Sequence, residues 1–124
     1  MSVCAALGAA ELSGLRMVTG GRSSGARVAC RTAPATGAIG VLCLAFPLQP
    51  PPRRDGTAAP SRLSELKIPA VPVLVVQGRN DRFGMVRAAR GREVVALEGD
   101  HGLKRDHARL REAVGAWLDR LAGG

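Results

Sequence analysis

Leu15-Arg16-Met17-Val18-Thr19-Gly20-Gly21-Arg22-Ser23-Ser24-Gly25 is the stretch that decides how this chain is read. An apolar, strand-like run leads directly into Gly-x-Ser-x-Gly at Gly21 to Gly25. A helix-like pattern of small residues, Ala26 to Ala33, follows it. A serine in that setting sits on a sharp strand-to-helix turn that lifts its hydroxyl clear of the sheet. The backbone of such a turn is strained and the helix crosses close to the strand, so its neighbours must be small. Gly21, Gly25, Ala26 and Ala29 meet that requirement. The competing reading is a Gly/Ser-rich loop, which a chain with 16 glycines readily produces. The two readings part further along, because a serine nucleophile needs a base and the base needs an acid to orient it.

Both partners have candidates, in order. Val73-Leu74-Val75-Val76-Gln77 is a continuous apolar run, the pattern of a strand covered on both faces. It exits into Gly78-Arg79-Asn80-Asp81-Arg82-Phe83-Gly84, where the Asp81 carboxylate could accept an imidazole N–H. Turns also favour aspartate for their own backbone geometry. Glu93 to Leu97 reads as a short strand, and the loop after it, Glu98-Gly99-Asp100-His101-Gly102, carries the candidate base His101. His107 falls in the first turn of a terminal helix and reads as solvated. Asp100 is a rival acid, but it adjoins His101 in the chain, which makes an aligned carboxylate–imidazole bond awkward.

Four blocks then form one ordered set: Gly20 to Ala29; Cys43-Leu44-Ala45-Phe46-Pro47-Leu48 with Pro50-Pro51-Pro52; Val75-Val76-Gln77-Gly78-x-x-Asp81-x-Phe83-Gly84; and Gly99-Asp100-His101-x-x-Lys104. The set resembles small dienelactone-hydrolase-like α/β-hydrolases, in the branch that includes testis-expressed and NSL-complex regulatory subunit proteins and many bacterial relatives. The likeness runs from about Leu15 to Leu121. It implies Ser23 as nucleophile, Asp81 as acid, His101 as base, and a small-molecule ester or acyl substrate. It also implies that the Ser24 backbone N–H contributes to an oxyanion hole. Three departures stand out. Arg82 occupies a position where the family usually has proline, Gly102 and Leu103 replace Ser-Phe after the histidine, and Gln49 and Pro52 stand where His and Gly are frequent.

By the same resemblance the chain matches the C-terminal half of the fold. The nucleophile normally follows the fifth strand, whereas only fourteen residues precede Leu15 here. The expected architecture is therefore α/β: a partial α/β-hydrolase fold of about four parallel strands with flanking helices, as one truncated domain over residues 1–124. The Leu15–Thr19 strand would become an edge with unpaired backbone groups, open to self-association. Met1–Gly14 reads as the end of a preceding helix, which favours a misassigned start over a true fragment. By the resemblance, the absent half would carry the loop after the third strand, which supplies the other oxyanion N–H; losing one such donor typically costs ~10²–10³ in turnover, so activity of this chain alone is expected to be impaired.

Composition narrows the function classes. The 124 residues carry 18 Lys+Arg and 10 Asp+Glu, a net charge of +8, with only Lys67 and Lys104 as lysines. The arginines are scattered and no aromatic platform interleaves them, which argues against nucleic-acid binding. Heavy Ala, Gly and Arg use suits a GC-rich bacterial coding sequence. Cys4, Cys30 and Cys43 show neither metal nor Cys-x-x-Cys spacing, so buried structural thiols and a cytoplasmic location are expected. No membrane-length apolar run and no metal-ligand cluster is visible, and no cofactor is implied. Gly20 to Gly25 lacks both the Gly-Lys-Ser/Thr of a P-loop and the spacing of a dinucleotide site, which leaves phosphate binding poorly supported.

The remaining elements follow from pattern. Helices are expected at Val3–Glu11, at Ser24–Ala33 (ended by Pro34), over a short stretch capped by Ser61, and at Met85–Arg90. Strands are expected at Leu15–Thr19, Ile39–Leu44, Val73–Gln77 and Glu93–Leu97. Gln49–Pro60 is a Pro/Arg-rich loop. Leu110, Val114, Trp117, Leu118 and Leu121 recur at three and four, marking a terminal helix with one buried stripe and Trp117 as its anchor. The rival to an enzyme is a non-catalytic fragment that pairs through its sheet edge.

Overall fold

The computed structural model describes residues 17–123 of the protein. The expected helix at Val3–Glu11, residues Leu15 and Arg16 of the first expected strand, and Cys4 lie outside the described residues.

Four strands pair in sequence order as one parallel sheet: β1 (Val18–Arg22), β2 (Gly40–Leu44), β3 (Val73–Gly78) and β4 (Arg92–Leu97). Helix α1 (Ser24–Thr36) joins β1 to β2, the single-turn α2 (Leu63–Leu66) precedes β3, and α3 (His107–Gly123) follows β4. The period-two alternation of each strand divides the core into two layers. Val41, Cys43, Val73 and Val75 face Ala26, Ala29, Cys30 and Ala33 of α1 and Leu66 of α2. Val18, Leu42, Leu74, Val76 and Leu97 face the other way, onto Trp117 and the α3 stripe of Leu110, Val114, Leu118 and Leu121. The apolar run of β3 is thus buried on both faces, as its composition requires. Trp117 fits because Gly40 has no side chain; a Cβ there would lie 3.0 Å from the indole and 2.7 Å from Leu121.

Two expectations are corrected. Pro34 does not end the first helix, which continues to Thr36 and closes on Gly37 at φ 70°. A proline in the last turn forfeits only one intrahelical bond, and the Thr36 hydroxyl donates to the Ala33 carbonyl, 3.0 Å away, among the acceptors left open there. The Met85–Arg90 stretch is not helical. Gly84 (φ 89°) and Gly91 (φ 78°) turn the chain at either side, Ala89 bridges back to Arg92, and Val86 inserts into the core. The remaining differences are small. β1 runs on through Gly20 and Gly21 to Arg22. The short helix takes Arg62 rather than Ser61 at its N-cap, although the Ser61 hydroxyl still accepts the Leu63 N–H at 3.1 Å.

The Gln49–Pro60 segment is irregular and largely exposed. Its first residue is anchored to the loop after β3, where the Gln49 N–H donates to the Phe83 carbonyl at 2.8 Å. A bidentate pair, Arg27 with Glu65 at 2.6 and 3.2 Å, fastens α1 to α2. Among the described residues no helix is long and apolar enough to cross a membrane.

Candidate active site

Parallel pairing puts the C-terminal ends of all four strands on one side. Ser23 directly follows β1, Asp81 comes three residues after β3, and His101 four residues after β4. Topology alone therefore gathers three loops that are remote in sequence.

Ser23 has φ 53° and ψ −119°, a conformation that costs a non-glycine residue of order 1–3 kcal/mol. The surroundings impose it. The Ser23 N–H donates to the Leu44 carbonyl at 2.8 Å, while its own carbonyl already accepts the Ala26 N–H at 2.9 Å inside α1. The two glycines flanking the serine differ in their need to be small. A Cβ on Gly21 would lie 2.3 Å from the Gly25 backbone, so the strand must pass the helix bare. A Cβ on Gly25 would meet nothing. As the first residue of α1, Ser24 presents a backbone N–H that has no acceptor within the helix, at the positive end of the helix dipole.

The Ser23 hydroxyl lies 2.8 Å from His101 Nε2, and His101 Nδ1 lies 2.8 Å from Asp81 Oδ2. An ionised carboxylate only accepts, which places the imidazole proton on Nδ1 and leaves Nε2 free to accept from the hydroxyl. The Asp81 side chain is fully enclosed, whereas that of His101 keeps 21% of its surface. Phe83 meets the imidazole edge-on with ring centroids 4.6 Å apart, and the Arg82 guanidinium sits 4.9 Å over the Phe83 ring. Gly78 lets the histidine loop close in; a Cβ there would be 2.2 Å from the Asp100 carbonyl oxygen.

The rival residues take other parts. Asp100 is exposed and its carboxylate accepts the Gly102 N–H at 2.9 Å. His107 heads α3 on the surface. Two residues the sequence reading left without a role also bear on the site. Gln77 donates to Asp81 Oδ2 at 2.9 Å, and Arg22 Nη1 donates to the Gly102 carbonyl at 2.7 Å, tying the serine turn to the histidine loop. The signal for Gln77 was its position as the one polar side chain ending an apolar run. For Arg22 no periodicity gives a signal, since an exposed arginine is the default at a strand end.

A cavity of about 540 Å³ opens beside His101, lined by Asn80, Arg82, Asp100, Gly102 and Lys104 as well. A cavity of similar size, about 560 Å³, lies at the opposite end of β3 and β4 and is lined by no candidate nucleophile, acid or base. Among the described residues no cluster of His, Cys, Asp and Glu could hold a metal ion. The geometry offers a polarised hydroxyl, a proton acceptor fixed in one tautomer, and a helix N-terminus beside them.

A family model described as an alpha/beta hydrolase domain matches residues 2–116. Searches of curated proteins and of solved structures returned no match.

Proposed function

The chain belongs to the alpha/beta hydrolase domain family, and from that premise we propose that it is a serine hydrolase acting on an ester or other small acyl substrate. What carries the reading is the unbroken relay of two 2.8 Å hydrogen bonds from Ser23 through His101 to Asp81. In the proposed reaction Ser23 Oγ attacks the acyl carbon as its proton passes to His101 Nε2. The carbonyl π electrons move onto oxygen, and the Ser24 N–H stabilises the resulting oxyanion. Asp81 stabilises the imidazolium and keeps the ring in place. Collapse expels the leaving group, which takes the proton from Nε2. Water, activated by the same nitrogen, then releases the acid and restores the Ser23 hydroxyl.

The four sequence blocks described above support the finer proposal of a dienelactone-hydrolase-like enzyme. A fluorophosphonate probe tests the chemistry because it reports an activated serine regardless of substrate. The expected result is one adduct, mapped to Ser23 and abolished in Ser23→Ala. No adduct on the native protein, or undiminished labelling of Ser23→Ala, overturns the reading.

A further inference from the structure

Gln77 is wholly buried at the end of β3, and its amide nitrogen faces three oxygens: the Phe46 carbonyl at 2.9 Å, Asp81 Oδ2 at 2.9 Å and the Gly84 carbonyl at 3.2 Å. Two amide hydrogens are shared among three acceptors. Rotating the amide by half a turn would set an oxygen against all three, so the acceptors fix its orientation. The amide oxygen Oε1 is then left buried with no partner. A buried, unpaired carbonyl is costly, and each such group in a folded protein calls for an explanation.

We propose that Gln77 is a positioning residue that acts through Asp81, and its bare oxygen is the consequence of that task. Asp81 Oδ2 receives two donors, Gln77 Nε2 and His101 Nδ1, while Oδ1 receives the Phe83 N–H at 2.7 Å. The Phe83 bond alone leaves the other oxygen free to swing about the carboxylate axis. Gln77 is rooted in a strand buried on both faces and blocks that swing, so Oδ2 stays aimed at the imidazole. Its bonds to Phe46 and Gly84 brace the two loops on either side of the carboxylate. A hydrogen bond to a charged acceptor in a dry interior is also stronger than one between neutral groups.

The proposal rests on the hydrolase reading only for its kinetic arm. Two variants test it: Gln77→Met, which keeps the volume and removes the donors, and Gln77→Leu, which removes them with a shorter apolar side chain. The rate of Ser23 phosphonylation by a fluorophosphonate is measured at a temperature where circular dichroism shows the native fold. Both variants are expected to be slower by roughly ten- to hundredfold, the range commanded by a lost hydrogen bond to a charged group. In proton NMR, the low-field Nδ1–H resonance of His101 is expected to shift or broaden in both. A resonance unchanged in both variants, or rates reduced only in proportion to the folded fraction, overturns the proposal. Failure of both variants to fold also overturns it, by making Gln77 a purely structural residue. If the native protein shows no labelling, the hydrolase reading fails while the imidazole resonance still decides the role of Gln77.

Discussion

Asp81, beyond the end of β3, is enclosed and gripped from three directions, whereas Ser23, at the end of β1, stands at the edge of the described sheet and is held by its own backbone. The acid's oxygens are fixed by side-chain and backbone donors in a dry setting. The serine's oxygen is aimed by an unfavourable φ/ψ pair that β2 and α1 jointly enforce. Orientation is thus stored as hydrogen bonding on one side and as backbone strain on the other. The two sides should fail differently when altered: the acid side in rate, the serine side in folding.

The largest expected effect is on the acid side. Asn at position 81 brings one amide oxygen to a place where Phe83 N–H, Gln77 Nε2 and His101 Nδ1 all converge as donors. The NH₂ group must face either the Phe83 N–H or both Gln77 Nε2 and His101 Nδ1, and in the second orientation the tautomer that leaves Nε2 as acceptor loses its support. Asp81→Asn should slow fluorophosphonate labelling by roughly 10³- to 10⁴-fold with little change in the melting curve. A reduction under tenfold would show that the carboxylate does not govern the imidazole.

The serine side is broken through glycine. Gly21→Ala forces a Cβ onto the Gly25 backbone and should lose about 1–3 kcal/mol by denaturant titration, the usual cost of overpacking. Gly25→Ala has open space and lies in a helix, so it should be neutral or gain up to about 1 kcal/mol. Equal losses at both positions would mean that the serine turn is limited by something other than the closeness of helix and strand.

The smallest effect separates the site from its scaffold. Arg27 holds the Glu65 carboxyl below the usual carboxylate range, mainly through its hydrogen bond. A carboxyl lowered on folding contributes stability above its unfolded value, near 4.3, and loses it as pH falls through the folded value. Glu65→Gln should therefore cost up to about 1 kcal/mol at neutral pH and converge with the native protein in acid. The labelling rate should be unaffected. A difference that persists at pH 2 would assign the effect to packing rather than charge.

Much of this arrangement could be read from residues alone, because some signals have a single physical source. Val73–Gln77 is a continuous apolar, β-branched run, the pattern of a covered strand, and Leu110, Val114, Trp117, Leu118 and Leu121 recur at helix spacing. Ser23, Asp81 and His101 followed from loop positions after three strands, and parallel pairing brought them together. What stayed hidden depends on tertiary context. Pro34 is tolerated because it falls in a last turn, which no local rule reveals. Met85–Arg90 has helix-forming residues but is pulled straight by Val86 and two turning glycines. Gln77 stands out in the sequence as a polar end to an apolar run, but its partners are set by loops that only the fold brings over it.

Cys30 on α1 and Cys43 on β2 touch at 3.5 Å in the layer between helix and sheet, each without solvent exposure. The Cys43 thiol is held far above the ordinary thiol range, by its bond to Cys30 first and by burial second. Neither sulfur can meet an alkylating reagent until the helix that begins beside Ser23 lifts from the strand. Their alkylation rate is therefore a clock for that breathing motion, read by peptide mass from the protein's own cysteines.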